Sequence, residues 1–252
     1  LEIESLDILI KMKSIGVPHT SILNMLHLSV EEIFGMKERF IRAAKASDVN
    51  SAIEVFADTI YGPILSEGLS RYNETGSTRF FDFSLDRAYH EDLLESTESL
   101  PLKDRGIALL LAGPKVDVFN IVTAVRSKIL GYPSHVIFWA ITRRFYRLTE
   151  KQIREIVSSS DVNSALDRVR ESLYGKFLSP HDNVEEAIID FERKINHFIM
   201  RQINEKRISE PFTVAAPLDV ILKKKNEMEN LILISSGIEF GWEAKDITSI
   251  LL

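Results

Sequence analysis

Cysteine is absent from the 252 residues, which excludes a disulfide framework, a thiolate nucleophile and any cysteine-ligated metal, and suits a reducing compartment. Glycine and proline are scarce, at 11 and 8, so the chain carries no Gly/Ser-rich linker and no low-complexity segment. Long apolar runs are missing too. The longest, Ile107 to Ala112 and Val136 to Ile141, are far too short to cross a bilayer, so any membrane role is expected to be peripheral. An excess of positive charge is also lacking: the net charge is −6 and the longest uninterrupted basic run is Lys223 to Lys225. A nucleic-acid partner needs a dense basic face to release counterions, and none is legible.

The motifs of chemistry are equally scarce. No Gly-x-x-x-x-Gly-Lys-Ser/Thr loop offers a phosphate cradle. The six histidines, His19, His27, His90, His135, His181 and His197, never form His-x-x-x-His or His-Glu-x-x-His, so a metal site is not expected. His90-Glu91-Asp92 point in different directions on a helix and read as a solvated face. Glu31-Glu32 and Glu185-Glu186 read as helix-start charges, Lys223 to Lys225 as a solvated face, and Trp139 as core. The expectation is no catalytic residue, no cofactor and no metal.

What is present is repetition. Glu2, Asp117 and Glu227 are each followed three positions later by Ser5, Asn120 or Asn230, and eleven positions after that by Gly16, Gly131 or Gly241. The spacings are 117 − 2 = 115 and 227 − 117 = 110 residues. A second block repeats between them. Asp48-Val49-Asn50-Ser51-Ala52 recurs as Asp161 to Ala165, Tyr61-Gly62 as Tyr174-Gly175, and Leu65 as Leu178, eight identities in eighteen positions. Unrelated sequence gives about one. Asp86-Arg87 is echoed by Glu192-Arg193 at an offset of 106, so length differences fall in loops.

No stretch shows the sustained alternation that strands need, and Pro and Gly fall between helical segments, so an all-α chain is expected. Helical periodicity covers Leu1 to Gly16, a stretch starting near Asp48 that Tyr61-Gly62-Pro63 breaks, Arg79 to Ser96, and a helix beginning near Lys103. Gly113-Pro114 is expected to separate that helix from the Asp117 helix. Ser29-Val30-Glu31-Glu32 and Thr149-Glu150-Lys151-Gln152 read as capping boxes, and Asp48 or Ser47 as an N-cap. Leu1 already lies inside a repeat copy, so most of a first repeat is expected to precede it. The division read from the sequence is 1–28 for the end of the first repeat, 29–145 for the second and 146–252 for the third.

On a helix Asp117, Asn120, Ala124, Lys128 and Gly131 fall along one stripe, and Val118, Ile121, Val122, Val125 and Ile129 along another. Two readings of the polar stripe stand. In one, Asp117 and Asn120, like Glu2, Glu227 and Asn230, are structural repeat positions that cap the helix start and tie it to a neighbouring loop. In the other, Lys11, Lys13, Arg126 and Lys128 face a shared axis and bind a partner. The third copy has Ser236 and Ile238 there, so such a site is asymmetric.

The triple acidic-x-x-Asn helix running to Gly, with Pro217 through Lys223, Glu227, Glu229-Asn230-Leu231 and Gly241, resembles the C-type subunit of archaeal-type rotary ATP synthases, which is equivalent to the d-type subunit of eukaryotic V-type ATPases. The resemblance implies a pseudo-threefold, funnel-shaped all-α protein. It also implies a non-catalytic rotor component at the cytoplasmic face of the membrane. Its partners would be the central-stalk subunits and the membrane proteolipid ring, and its role to transmit torque for ATP synthesis or ion transport. A rival reading is an α-helical scaffold holding a protein partner in a central polar cavity, although common helical repeats have periods of about 33–47 residues. A metal-free enzyme would instead require an apolar pocket with convergent titratable groups.

Overall fold

The computed structural model describes residues 2–181 and 183–251. Over them the chain is all-α, with fourteen α-helices, one 3-10 turn and no strand. Contacts divide it into two compact units, Leu1–Tyr89 and His90–Leu252.

The first unit holds α1 (Glu2–Ser14), α2 (His19–Met25), α3 (Leu28–Ile33), α4 (Lys37–Lys45), α5 (Val49–Glu54), α6 (Gly62–Thr75) and the start of α7 (Arg79–Glu98). Leu6, Leu9 and Ile10 recur at helical spacing on α1 and meet Ile22, Phe40, Phe56, Leu65, Phe81 and Leu85 in one buried cluster. Each such side chain contributes about 1.5–3 kcal/mol by leaving water. Glu2 and Glu4 in the first turn and Lys11 and Lys13 in the last complement the helix dipole.

The second unit continues from α7 through α8 (Leu102–Ile129), α9 (Ser134–Ala140), α10 (Glu150–Ser158), α11 (Val162–Arg170) and a 3-10 turn (Gly175–Phe177). It ends with α12 (Val184–Ser209), α13 (Ala215–Glu239) and α14 (Ala244–Ile250). Its core joins Ile121 and Val125 of α8 to Ile153, Ile156, Leu166 and Val169 of α10 and α11, and to Phe191, Ile195 and Ile199 of α12. The sequence copy expected over 29–145 therefore has its first half in one unit and its second half in the other.

Local chemistry sets many helix ends as expected. Asp48 and Asp161 cap α5 and α11, their carboxylates accepting the Ser51 and Ser164 amides at 2.8 and 2.9 Å. Thr149 and Gln152 form the reciprocal capping box of α10. Gly16, Gly131 and Gly241 follow the three acidic helices with φ of 76°, 75° and 71°, a left-handed conformation that a side chain disfavours.

Five expectations need correction. Gly113-Pro114 does not separate two helices: α8 runs unbroken for 28 residues with Pro114 inside it. Pro114 is buried beside Leu110, Tyr146 and Tyr174, so packing holds the helix together past the amide hydrogen bond that proline cannot donate. The Ser29 capping box does not form, because His27 holds the N-cap position of α3. Glu31 instead is buried, accepting the Ser5 hydroxyl at 2.7 Å, and Glu32 pairs with Lys37. The Asp48 helix stops at Glu54, and Gly62-Pro63 opens α6 rather than ending α5. His90 is no solvated member of an acidic trio, since its ring stacks on Phe119 at 4.1 Å. Finally, Asp117 and Asn120 lie deep inside α8, whose N-cap is Pro101.

Running unbroken through Gly113-Pro114 makes α8 long and apolar enough to cross a membrane by length and composition, but 67% of the relevant window is buried inside the protein. It also carries Asp117 and Asn120, both fully buried and hydrogen-bonded. Its surroundings are those of a core helix.

Candidate functional site

The repeated acidic residue ties distant segments to its helix. Asp117 accepts four hydrogen bonds: from the backbone amides of Tyr146, Arg147 and Leu148 at 2.9, 2.6 and 2.9 Å, and from the Tyr174 hydroxyl at 2.7 Å. Burial and the Asp117 charge together push the Tyr174 phenol above its ordinary range. Asn120 continues the tie. Its Oδ1 accepts the Thr142 amide at 2.8 Å, and its Nδ2 donates to Thr142 Oγ1 and the Arg144 carbonyl. The segment from Ile141 to Leu148, which has almost no regular structure, gains its backbone partners from these two side chains.

The first copy uses the same plan with different lengths. Tyr61, the repeat equivalent of Tyr174, donates its hydroxyl to Glu2 at 2.8 Å. Ser5, equivalent to Asn120, donates to Glu31. The sequence shows that Tyr61 and Tyr174 repeat, but gives them no role. Their similar offsets from the acidic residues, 61 − 2 = 59 and 174 − 117 = 57, are the signal that pairs them.

All four basic positions meet groups of their own unit. Lys13 donates to the carbonyls of Ala44 and Ala46 at 2.8 and 2.6 Å, and Lys128 to that of Ser159 at 2.6 Å. Those carbonyls end α4 and α10, where the helix dipole attracts a cation. Burial pushes both ammonium groups down, opposed by the charges of Asp48 and Asp161, the N-caps just beyond. Asp161 itself is lowered to about 2 by the Ser164 amide and neighbouring hydroxyls. Lys11 pairs with Asp7 at 2.8 Å and Asp82 at 3.2 Å, and Arg126 with Glu192 at 2.6 Å. Burial raises Glu192, with Arg126 opposing.

Two measurements check this electrostatic description. Trp139 and Trp242 are the chain's two tryptophans, and both lie in the second unit, so indole emission reports that unit. Lys128→Met is expected to lower its unfolding free energy by about 1 kcal/mol, the worth of one partly buried bond at a helix C-terminus. An unchanged urea midpoint would count against that role.

The second concerns acid pairing in the first unit. Burial and the adjacent Asp7 raise Asp82 to about 7, with Lys11 opposing, and partial desolvation by neighbouring atoms together with Asp7, again with Lys11 opposing, raises Asp86, itself exposed at the surface, to about 6. Both folded values exceed the ordinary 3.8, so the folded state binds protons more tightly than the unfolded one. Their contribution is complete below about pH 4 and lost as pH rises to about 7. Asp82→Asn should flatten the fall in melting temperature between about pH 5 and 7.5. Parallel melting profiles for the two proteins would remove Asp82 from the explanation.

With this geometry in place, comparison with known proteins is decisive. The sequence matches the ATP synthase (C/AC39) subunit family over residues 1–250. The chain belongs to that family. The C/AC39 family comprises a non-catalytic accessory component of A/V-type ATP synthases. Among curated relatives, the C-type subunit of the A-type ATP synthase of Methanocaldococcus jannaschii is 24% identical over 100% of this chain and 63% of its own length. Its counterparts in Methanothermobacter thermautotrophicus and Thermococcus gammatolerans are 24% and 28% identical, over 93% and 68% of this chain and 60% and 46% of their own lengths. The chain thus spans roughly 60% of the first two relatives. No solved structure matches.

Within this C/AC39 protein the third copy differs from its sisters in its surroundings. Glu227 is exposed on α13 and pairs with Lys224 at 2.7 Å. Met228, Leu231 and Ile232 are 62%, 60% and 63% exposed, whereas their α8 equivalents Val118, Ile121 and Val122 are 8%, 2% and 5% exposed. The same pattern is thus buried by α10 to α12 in one copy and left open in the other. Asn230 belongs to this copy, and Lys223 and Lys225 form ion pairs with Asp219 and Glu229 along the same helix.

Proposed function

We propose that this chain serves as part of the rotor of an A/V-type ATP synthase or ATPase. In this reading it joins central-stalk subunits to the membrane proteolipid ring at the cytoplasmic face and transmits torque without catalysing a reaction. Membership of the C/AC39 family carries the proposal, and the relatives named as components of A-type ATP synthases support it. The physical argument is stiffness. A coupler must not yield under load, and the buried Asp117 fixes an irregular segment and Tyr174 to one helix through four hydrogen bonds.

Of the four basic positions, Lys11 and Arg126 combine ion pairing with substantial exposure. They are the proposed partner contacts. Lys13 and Lys128 are proposed to act indirectly, by holding the helix ends that carry them. The test is co-purification of the tagged protein from native membranes. Proteolipid and central-stalk subunits should accompany it at fixed stoichiometry; recovery of the protein free of both would overturn the rotor reading.

A further inference from the structure

Where α8, α12 and α13 meet, a cavity of about 50 Å³ is lined by Lys115, Asn196, Ile199, Met200, Leu222, Lys225, Asn226 and Glu229. The two lysines are repeat equivalents, since Lys115-x-Asp117 recurs as Lys225-x-Glu227 at 225 − 115 = 110 residues, the same offset that relates the acidic helices. Packing of α13 against α8 therefore sets like charges against each other. The Lys115 ammonium makes no hydrogen bond or ion pair among the described residues, although Ile199, Met200 and Leu222 wall its surroundings. Glu229 lies 3.6 Å from Lys225, leaving two ammonium groups against one carboxylate.

We propose that this cavity binds a single carboxylate group between Lys115 and Lys225, with the Asn196 side-chain amide as a further donor. An ammonium partly removed from water with no ion-pair partner of its own costs stability, and methionine or leucine would fill the same space without that cost. A ligand that supplies the missing negative charge removes the conflict. The volume decides the ligand's size: it holds a few waters or one small planar anion. The charge decides its class. One carboxylate balances the local excess of one positive charge, whereas a phosphate dianion exceeds it. Burial and Lys225 depress Lys115, with Glu229 opposing, and a bound carboxylate would reverse that depression.

The same chemistry has two sources, a free small carboxylate or an aspartate or glutamate side chain of another protein. The site lies within the second unit and does not rest on the rotor reading. The test is NMR of protein carrying ¹³C-labelled lysine, titrated at constant ionic strength with acetate, with N-acetylglutamate methylamide and with inorganic phosphate. Either carboxylate should shift the Lys115 ε resonance saturably and raise its titration midpoint. Lys115→Met or Lys225→Met should weaken binding at least tenfold, while Lys151→Met, on the exposed face of α10, leaves it unchanged. Response to acetate alone assigns a small free ligand, and response to the glutamyl probe assigns a protein side chain. Silence from both carboxylates, stronger binding of phosphate, or unchanged affinity in both cavity variants would overturn the proposal.

Discussion

Asp117→Ala is expected to lower the unfolding free energy of the second unit by about 4 kcal/mol, one of the larger losses a single substitution can cause. The substitution removes one side chain but strands four donors: three consecutive backbone amides, from Tyr146 to Leu148, and the Tyr174 hydroxyl. Each buried donor left unpaired costs about 1–3 kcal/mol, and the segment they belong to has little regular structure to absorb them. Asp117→Asn is expected to lose about 2–3 kcal/mol, because its amide nitrogen turns donors toward donors. Tyr174→Phe removes one bond of four and should cost about 1 kcal/mol. The decisive control is Glu227→Ala, at the equivalent repeat position on an exposed helix face, for which the change should stay within about 0.5 kcal/mol. Indole-monitored urea unfolding measures the series; equal losses at Asp117 and Glu227 would refute the assigned role of the buried tie.

The second large effect is at the glycine of the repeated Tyr-Gly pair. A Cβ built on Gly175 would sit well under 3.0 Å from the Arg170 carbonyl, and one on Gly62 equally close to that of Ala57. The obstacle in both copies is backbone rather than a flexible side-chain end, so no rotamer change relieves it. Gly175→Ala should therefore cost about 2–3 kcal/mol by displacing the turn that delivers Tyr174 to Asp117. Gly106→Ala, where nothing lies within 4 Å, is expected instead to stabilise α8 slightly. If Gly175→Ala melts with the parent protein, the close approach does not constrain the turn.

These residues also show where sequence is transparent. Asp48, Asp161 and Thr149 are readable as caps because each bonds an amide three positions away, within the reach of local pattern. The glycines after the acidic helices are readable for the same reason. Asp117 is readable as a structural tie but not as a mid-helix one, because its donors lie 29 to 57 residues downstream. Lys13 and Lys128 suggest a partner-facing end; the carbonyls they meet are 31 to 33 residues off and leave no local trace. Ser29 has the right spacing for a cap, but Glu31 is recruited across 26 residues by Ser5. Pro114 follows the same logic, since the breaker rule is local and the burial that overrides it is not. The family likeness rests on repeats, whose signal survives because it does not require knowing what each letter touches.

The distance between acid and tyrosine has a consequence for how the chain is made. Tyr174 leaves the ribosome 57 residues after Asp117, and Tyr61 follows Glu2 by 59. At about 5–20 residues per second this is a wait of roughly 3–12 s, far longer than helix formation or collapse. During synthesis α8 therefore exists as a helix with a carboxylate in its middle whose last partner has not yet been translated. The spacing from acid to tyrosine sets how long each of these two helices waits before its tie is complete.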